Sequence, residues 1–483
     1  MHKPMVLWTT VLLVLSVTFL AATASAKSVL DILREKGILS EEEYQQAVEE
    51  AREQEKKAVQ AATEEGKKAS KLPDWLNRIS FFGDIRFRYE GQWNASLTDT
   101  QSNPDRNRFR IRARLGTGID ATEEVQGRLR LVSGDINDPI STNQTLSDLF
   151  TRKPINLDWT YITLSPWKTL GLDKLTGSTK PRFSVTLGKF PTPTFVPLGS
   201  ELVFDSDLSP EGLTESFTLW DQSSGLLRTV KVIAAQYAIK EFGSKNATNL
   251  FDDTDSYMFG GQILAEFALT PDICYKWCVK LTAAIADYGF TELDTIARER
   301  NSNGSLQITN FVKLFSGATK GGAPVSPSSC ASPFTAPGCI AGFRGDFNIL
   351  NASAQLDILT PWKQWPLSFG VDYAHNLNAR HTNDDTGVWF IARAGRTANP
   401  GDFRLTYTFA YTETDAVLSV FSYSDFGRNG GTNLIGHFIA VDYVPFPRVT
   451  LTLKNHFVNF IDRPAGFHNP TQSRFQADVV LSF

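Results

Sequence analysis

The feature that most constrains this chain is a two-residue alternation of apolar and polar side chains, which recurs from Phe82 to the C-terminus. Residues 108–115 alternate arginine with apolar residues, and residues 350–358 and 403–412 continue the pattern with aromatic and aliphatic residues. The segments run to roughly ten residues, whereas strands of soluble sandwiches average about five or six. The pattern therefore predicts an all-β, antiparallel transmembrane barrel with an apolar outer face.

Counting the alternating segments predicts about sixteen strands, an even number as expected of a single-chain bacterial barrel. Fourteen or eighteen remain alternatives, because the alternation is faintest in residues 155–165, 213–220 and 434–444. The predicted strands are 81–90, 108–119, 124–133, 155–165, 181–190, 213–220, 228–241, 256–270, 277–289, 347–359, 365–375, 386–395, 402–413, 434–444, 448–458 and 472–483.

The connections between these strands alternate in length, which is an independent sign of a barrel. Most even-to-odd links are short, whereas odd-to-even links are longer and reach residues 290–346. Barrels of this class place short turns in the periplasm and long loops outside. Two links depart from the rule, residues 166–180 and 375–386. Aromatic residues near the short links predict an interfacial girdle of Trp167, Trp277, Trp362, Trp365 and Phe446.

The first 26 residues predict a secretory signal peptide. Lys3 precedes an apolar run at residues 6–22 and a small-residue cleavage site at residues 24–26. A membrane anchor is the alternative, but a polar segment follows directly. Removing the signal changes the formal net charge from -4 to -5, because Lys3 is its only charged residue. This near-neutral balance argues against nucleic acid as a partner.

Residues 27–71 differ in composition from the rest and predict a periplasmic α-helical prefix. Ser40 and Glu43 have capping-box spacing. An oligomerising coiled coil, a solvated tether and a cell-wall contact all remain open, because the apolar seam is weak. The barrel itself is expected over residues 72–483. The seam consists of Tyr44, Val48, Ala51, Glu55, Ala58 and Ala62.

The four cysteines form two local pairs, Cys274 with Cys278 and Cys330 with Cys339. An exported chain meets an oxidising compartment, so we expect two short-loop disulfides. A four-cysteine zinc site is the alternative, but it would join segments that the predicted topology puts on opposite faces of the membrane.

Four runs of sequence are distinctive: FGDIRFRY at 82–89, DRNRFR at 105–110, STNQTL at 141–146 and FDSDLSPEG at 204–212. With these runs the chain resembles the bacterial putative porin family, in which a short helical or coiled-coil prefix precedes a barrel. The C-terminal strand, ending at Phe483, also looks like the signal recognised by the barrel assembly machinery. The resemblance implies a passive outer-membrane channel for small hydrophilic solutes, in contact with lipid and lipopolysaccharide, and trimerisation follows only by analogy.

A barrel of about sixteen strands leaves an aqueous lumen, and arginines are expected to line one wall of it. By resemblance to general porins, the third external loop, residues 190–212, would fold inward and bring acids opposite these arginines. The loop at residues 134–154, with Asp135, Asp138 and Asp148, is the alternative constriction. The predicted arginine ladder is Arg106, Arg108, Arg110, Arg112, Arg114, Arg128, Arg130 and Arg182, and the loop acids are Glu201, Asp205, Asp207 and Glu211.

Opposed charges in a narrow channel focus the field on passing solutes, so mild anion preference is one hypothesis. The other is that the arginines pair with acids and only keep the lumen wet. We expect no catalytic, cofactor or metal site. An outer-membrane hydrolase and an adhesion or structural barrel remain alternatives, although none of the mature chain's histidines lies in a recognisable nucleophile motif. These histidines are His375, His381, His437, His456 and His468.

Overall fold

The structure is a computed structural model, and the chain divides into two units, Met1–Asn77 and Arg78–Phe483. The predicted signal peptide and helical prefix lie outside the described residues, as do Cys330, Cys339, His381 and His468. No helix among the described residues is long and apolar enough to cross a membrane. The structure describes residues 76–93, 105–178, 180–241, 255–270, 274, 277–293, 346–379, 383–427, 431–462 and 471–483.

The regular secondary structure of the described residues is almost entirely β-strand. Its strands are β1 Ile79–Trp93, β2 Arg106–Asp120, β3 Val125–Ser133, β4 Gln144–Thr145, β5 Ile155–Leu164, β6 Phe183–Lys189, β7 Glu211–Asp221, β8 Leu227–Lys240, β9 Ser256–Ala268, β10 Cys278–Phe290, β11 Asn348–Leu359, β12 Leu367–Asn376, β13 Thr386–Gly395, β14 Phe403–Thr412, β15 Leu434–Phe446, β16 Val449–Phe460 and β17 Gln472–Ser482. One α-helix, α1 Leu172–Thr176, and 3₁₀ turns at Leu76–Arg78 and Pro197–Gly199 complete the elements.

The strands form one closed antiparallel barrel. Each wall strand pairs with its sequence neighbours, and β1 pairs with both β2 and β17, so the sheet has no open edge. The two-residue β4 is an extra strand that pairs with β2 at Arg110 and Ile111, beyond the end of the β2–β3 ladder. The remaining sixteen described strands make the wall, which confirms the predicted architecture and strand number.

The two faces of the wall reverse the usual order of a soluble protein. In β1, for example, Phe87 points outward and is 46% exposed, whereas the next residue, Arg88, points inward and is only 6% exposed. Buried polar residues and exposed apolar ones recur along the other strands. This arrangement places an apolar surface against lipid and a polar surface around the lumen, because successive side chains of a strand point to opposite faces.

Short and long connections occupy opposite ends of the barrel, as predicted. The link between β15 and β16 is only two residues long, whereas β10 and β11 are 57 residues apart. The long link between β5 and β6 has a structural reason, since it contains α1. That turn also encloses Trp167, whose indole Nε1 donates to the Ser178 carbonyl at 2.7 Å, so this residue is buried rather than part of the girdle. Trp277, Trp362, Trp365 and Phe446 are exposed at this end.

An apolar core lies inside the barrel, which the sequence did not predict. Two long connections fold into the lumen: the first inner loop, residues 190–210 between β6 and β7, and the second inner loop, the described residues 413–427 and 431–433 between β14 and β15. Their apolar side chains pack against the inward side chains of the wall from β8 to β16. From the loops the core includes Phe190, Leu202, Val203, Phe204, Ala416, Val417, Tyr423 and Phe426.

A candidate pore constriction

The first inner loop crosses the lumen and is held by three strands of the wall. The Phe195 amide donates to Gln262 Oε1 at 2.7 Å, and Gln262 Nε2 donates back to the Phe195 carbonyl at 3.0 Å. Further along, the Leu198 amide donates to Gln355 Oε1 at 2.9 Å, and Arg393 Nη2 donates to the Leu198 carbonyl at 3.1 Å. These hydrogen bonds fix the first inner loop to β9, β11 and β13, so that it crosses the channel.

A glycine in the wall allows the loop to approach closely. At Gly387 in β13 an added Cβ would lie 2.8 Å from Leu202 Cδ1, closer than a van der Waals contact permits. Leu202 is 1% exposed, and burying such a side chain contributes about 1.5–3 kcal/mol. The missing side chain at Gly387 therefore makes room for an apolar anchor of the first inner loop.

The structure brings one of the predicted loop acids directly to the arginine wall. Asp207 Oδ1 lies 3.4 Å from Arg114 Nη1. Its other oxygen accepts from the Thr142 amide at 3.2 Å and from the Thr142 hydroxyl at 3.0 Å. Thr142 belongs to the connection between β3 and β5, so the loop predicted as the alternative constriction touches the first inner loop here.

The other three predicted acids have different surroundings. The Asp205 carboxylate accepts from the amides of Asp207 at 2.8 Å and Ser424 at 2.9 Å, so it joins the two inner loops. Glu201 accepts from the Ser206 amide at 2.8 Å. Glu211 lies at the start of β7, where it pairs with Lys189 at 2.9 Å and faces none of the predicted arginines.

Burial and neighbouring charges shift the pKa values of three of these acids in different directions. Burial, reinforced by Glu201 and Asp207, raises the pKa of Asp205 well above its ordinary value. Burial also raises the pKa of Glu201, against an opposing effect from Lys454. For Asp207 burial acts in the same direction, but Arg112, Arg114 and the Thr142 amide outweigh it and lower the pKa. Asp207 is therefore the acid that keeps its charge beside the arginines.

The predicted arginines lie on the inner face of the wall, and most of them pair with acids. Arg108 and Arg110 both approach Glu90, at 2.5 and 3.7 Å. Arg112 and Arg114 both approach Asp84, at 2.8 and 2.5 Å.

The remaining predicted arginines extend this wall in both directions. Arg130 pairs with Asp158, and Arg128 pairs at 2.9 Å with the exposed Asp120. Arg106 lies at the exposed start of β2, and Arg182 lies just before β6. In the middle of the predicted ladder the arginines are therefore paired with carboxylates, and they do not form a purely cationic row.

Sequence reasoning missed the second inner loop and its ionic anchor. Asp425 pairs with Arg88 at 3.2 Å and with Arg474, and it accepts from Gln476 Nε2 at 2.9 Å. Arg88 also pairs with Asp478 at 2.7 Å. The available signal was the apolar run at residues 416–426, because a loop surrounded by water does not need one.

A cavity of about 220 Å³ lies between the first inner loop and the wall formed by β13 to β16. One part of its lining is charged and another part is aromatic. Among the residues that line it are Glu201, Trp389, Arg393, Arg404, Thr406, Tyr423, Phe438, Asp442, Thr452 and Lys454.

The described histidines have no serine partner. His375 contacts Thr386 and Asp385, His437 contacts Tyr407, and His456 accepts or donates at the Tyr423 hydroxyl. Within the described residues, no group of three or more His, Cys, Asp or Glu side chains could hold a metal ion. Cys274, in the connection between β9 and β10, forms a disulfide with Cys278, the first residue of β10.

A family model described as putative porin matches residues 45–104 and 96–471 of the chain. A comparison with curated proteins finds no matching sequence. Among solved structures, the chain is similar to Pseudomonas putida OprB at high pH, with 12% identity, a TM-score of 0.47, and coverage of 86% of this chain and 97% of that one.

Two further structures are similar to the chain. Salmonella typhi OmpF in complex with daunomycin has 8% identity and a TM-score of 0.41, covering 84% of this chain and 97% of that one. The trimer form of Vibrio cholerae OmpT has 7% identity and a TM-score of 0.40, covering 84% and 99%.

Proposed function

Because the chain belongs to the putative porin family, we propose that it is a passive, water-filled channel for small hydrophilic solutes in the outer membrane. The observation that carries this proposal is the first inner loop, which crosses a closed sixteen-strand lumen and meets a charged wall at Asp207 and Arg114. A barrel of this width has room for an aqueous path, and an inward loop narrows that path to the size of a small solute.

Conductance of the purified, detergent-extracted protein in planar bilayers tests the channel. We expect discrete, step-like current increases on insertion. A barrel with a purely adhesive or structural role would insert without conductance and would contradict the proposal. Pure protein that hydrolysed lipid or peptide would instead support the hydrolase alternative, for which the described histidines offer no serine partner.

Mild anion preference is the finer proposal for this channel. One set of ion pairs on the inner face contains two more arginines than carboxylates. Its arginines are Arg86, Arg88, Arg108, Arg110, Arg112, Arg114, Arg130 and Arg474, and its carboxylates are Asp84, Glu90, Asp158, Asp207, Asp425 and Asp478. The raised pKa of Asp205 further reduces the negative charge of the inner loops. In a low-dielectric channel such an excess attracts anions. Reversal potentials in a salt gradient test this, and cation preference would contradict it.

Export and orientation complete the proposal. The predicted signal peptide, residues 1–26, supports export, and the short turns at the end where β1 starts and β17 stops support a periplasmic N-terminal segment. An epitope tag inserted near residue 30 should be inaccessible to antibody on intact cells and accessible after the outer membrane is permeabilised. Labelling of intact cells would contradict this orientation, because it would place the N-terminal segment outside the cell.

A homotrimer is proposed on the basis of one exposed loop tip. Leu149 and Phe150, in the connection between β3 and β5, are 93% and 107% exposed and have positive φ angles of 40° and 60°. Two bulky apolar residues held in this strained conformation favour a contact with another copy of the chain.

A further inference from the structure

Two cations stand at the ends of one inward row of side chains along the cavity wall. The strand register places Arg393 beside Thr406, Thr406 beside Ala440, and Ala440 beside Lys454, across β13, β14, β15 and β16. Three strand spacings separate the backbones of Arg393 and Lys454 by about 14 Å. The two residues between them are small, so both long cationic side chains have free space over the middle of the row.

These two cations have no carboxylate partner within ion-pair distance among the described residues. Arg393 donates from Nη2 to the Leu198 carbonyl, and its buried Nε has no hydrogen-bond partner. Lys454 Nζ donates to the Tyr423 hydroxyl at 2.6 Å and lies 4.9 Å from the Tyr423 ring centroid. Both cations are therefore held by neutral groups of the inner loops.

The third cation of the cavity is already neutralised. In the adjacent row, Arg404 Nε pairs with Asp442 Oδ2 at 2.8 Å, and Asp442 Oδ1 accepts from the Thr452 hydroxyl at 2.6 Å. With Glu201 included, the lining holds three basic and two acidic side chains, so the basic side chains exceed the acidic ones by one. A buried, unbalanced charge is costly, and a bound monoanion removes that cost.

Aromatic rings line the cavity next to Lys454, whose Nζ also lies 5.7 Å from the Phe438 ring centroid. Trp389 packs edge-on against Tyr423 and Phe438, with ring centroids 5.6 and 5.8 Å away. Such a cluster suits a hydrocarbon or a ring, whereas Arg393 and Lys454 suit a carboxylate with its two acceptor oxygens.

Resting on the proposed channel function, we propose that this cavity is a solute-binding site for small monocarboxylates. The carboxylate lies between Arg393 and Lys454, and the hydrocarbon part faces Trp389 and Phe438. The site lies beside the first inner loop, so a bound anion interrupts the flow of smaller ions while it passes.

Benzoate is a suitable probe, with neutral benzamide as its uncharged counterpart of the same shape. Single-channel current is recorded while each compound is added. We expect benzoate to produce brief blocking events at concentrations at least about tenfold lower than benzamide, because charge-assisted hydrogen bonds are about twice as strong as neutral ones. Arg393→Gln and Lys454→Gln should each raise the half-blocking concentration of benzoate about tenfold.

The matched control is Lys280→Gln. Lys280 is a half-exposed cation of β10 that pairs with Glu266 at 2.9 Å and does not line the cavity. Benzoate should block this variant at the same half-blocking concentration as the wild type. The step-like current of each variant shows that its channel is folded.

The outcomes separate the two proposals. Absence of current in the wild type would overturn the channel function. A conducting channel in which benzoate and benzamide block equally would overturn only the binding site, as would unchanged benzoate block in both cavity variants.

Discussion

The Asp425 carboxylate holds the second inner loop against the barrel wall. Its side chain is only 14% exposed and joins the second inner loop to Arg88 and Arg474 on the wall. Removing one partner of an enclosed ion pair costs about 3–5 kcal/mol, because the remaining charge loses its compensation. The second inner loop therefore depends on this anchor for its position in the barrel.

We predict that Asp425→Asn loosens the second inner loop without unfolding the barrel. Hydrogen exchange of the amides in residues 415–426 should accelerate, and open-channel current noise should increase. Asp221→Asn is the control, since that carboxylate forms an exposed pair with Lys180 at 3.4 Å, and exposed pairs contribute little. Equal exchange in the wild type and Asp425→Asn would contradict the assigned anchor.

Asp205 makes the contact between the two inner loops depend on pH. Burial, with Glu201 and Asp207 nearby, raises its pKa in the packed loops, whereas release into water would restore the ordinary value of about 4. Its contribution is therefore fully present below that ordinary value and is lost as pH rises through the raised pKa. Asp207 and Asp425 have the opposite pH dependence, because their pKa values are lowered. Protonation weakens their contacts only when the pH falls through these lowered values.

We expect open-channel noise to increase as pH is raised from about 4 to about 9. Asp205→Asn removes the titrating group and keeps an oxygen acceptor, so its pH dependence should be flatter. Glu201, whose pKa burial also raises, accounts for any residual slope in the same direction. Noise that instead increased with falling pH over this range would contradict the sign of the effect.

The tip of the connection between β3 and β5 carries two highly exposed apolar residues, Leu149 and Phe150. Replacing both Leu149 and Phe150 with serine should convert a trimer to monomers, because each buried side chain contributes about 1.5–3 kcal/mol. Light scattering of detergent-solubilised protein measures this. The control is Leu175→Ser in α1, also highly exposed, at 81%. Trimers that persisted in the double variant would exclude this tip as the contact.

The wall strands could be predicted from the sequence because every one of them has lipid on one face and the lumen on the other. Each strand therefore needs apolar side chains on its outer face and polar side chains on its inner face. Each strand must alternate, so even the shortest, Phe183–Lys189, was found within two residues of its bounds. The strand Gln144–Thr145 escaped prediction because two residues carry no periodicity. The second inner loop escaped for another reason, since its position depends on Asp425 meeting arginines from both ends of the chain.

Charge pairing across the lumen is a property of the whole molecule and could not be predicted. Arg88 and Asp478 are 390 positions apart and meet only because β1 and β17 close the barrel in one register. The sequence predicts that Arg108, Arg110, Arg112 and Arg114 point inward, and in the structure these four arginines alternate along β2 with more exposed apolar residues. Which acid each arginine contacts follows from strand register, which alternation alone does not determine.

Closure of the barrel depends on the last strand, β17. Phe483, the residue after β17, exchanges two backbone hydrogen bonds with Gly83, at 3.0 and 3.1 Å. The strand itself pairs with β1 on one side and β16 on the other. Truncation after residue 471 removes both ladders and leaves two open edges, which lipid does not tolerate. We predict that this truncated chain does not give the folded, heat-modifiable band on electrophoresis.

Phe483→Ala separates closure from recognition by the barrel assembly machinery. The backbone bonds to Gly83 remain, so purified variant refolded in detergent should give the same heat-modifiable band as the wild type. In cells its amount in the outer membrane should fall several-fold if the terminal aromatic is the signal that the sequence suggests. Failure to refold in detergent would make Phe483 a structural residue, and normal amounts in cells would exclude it as a signal. Since backbone pairing and side-chain recognition are carried by different atoms of the same residue, only the combination of both measurements assigns its role.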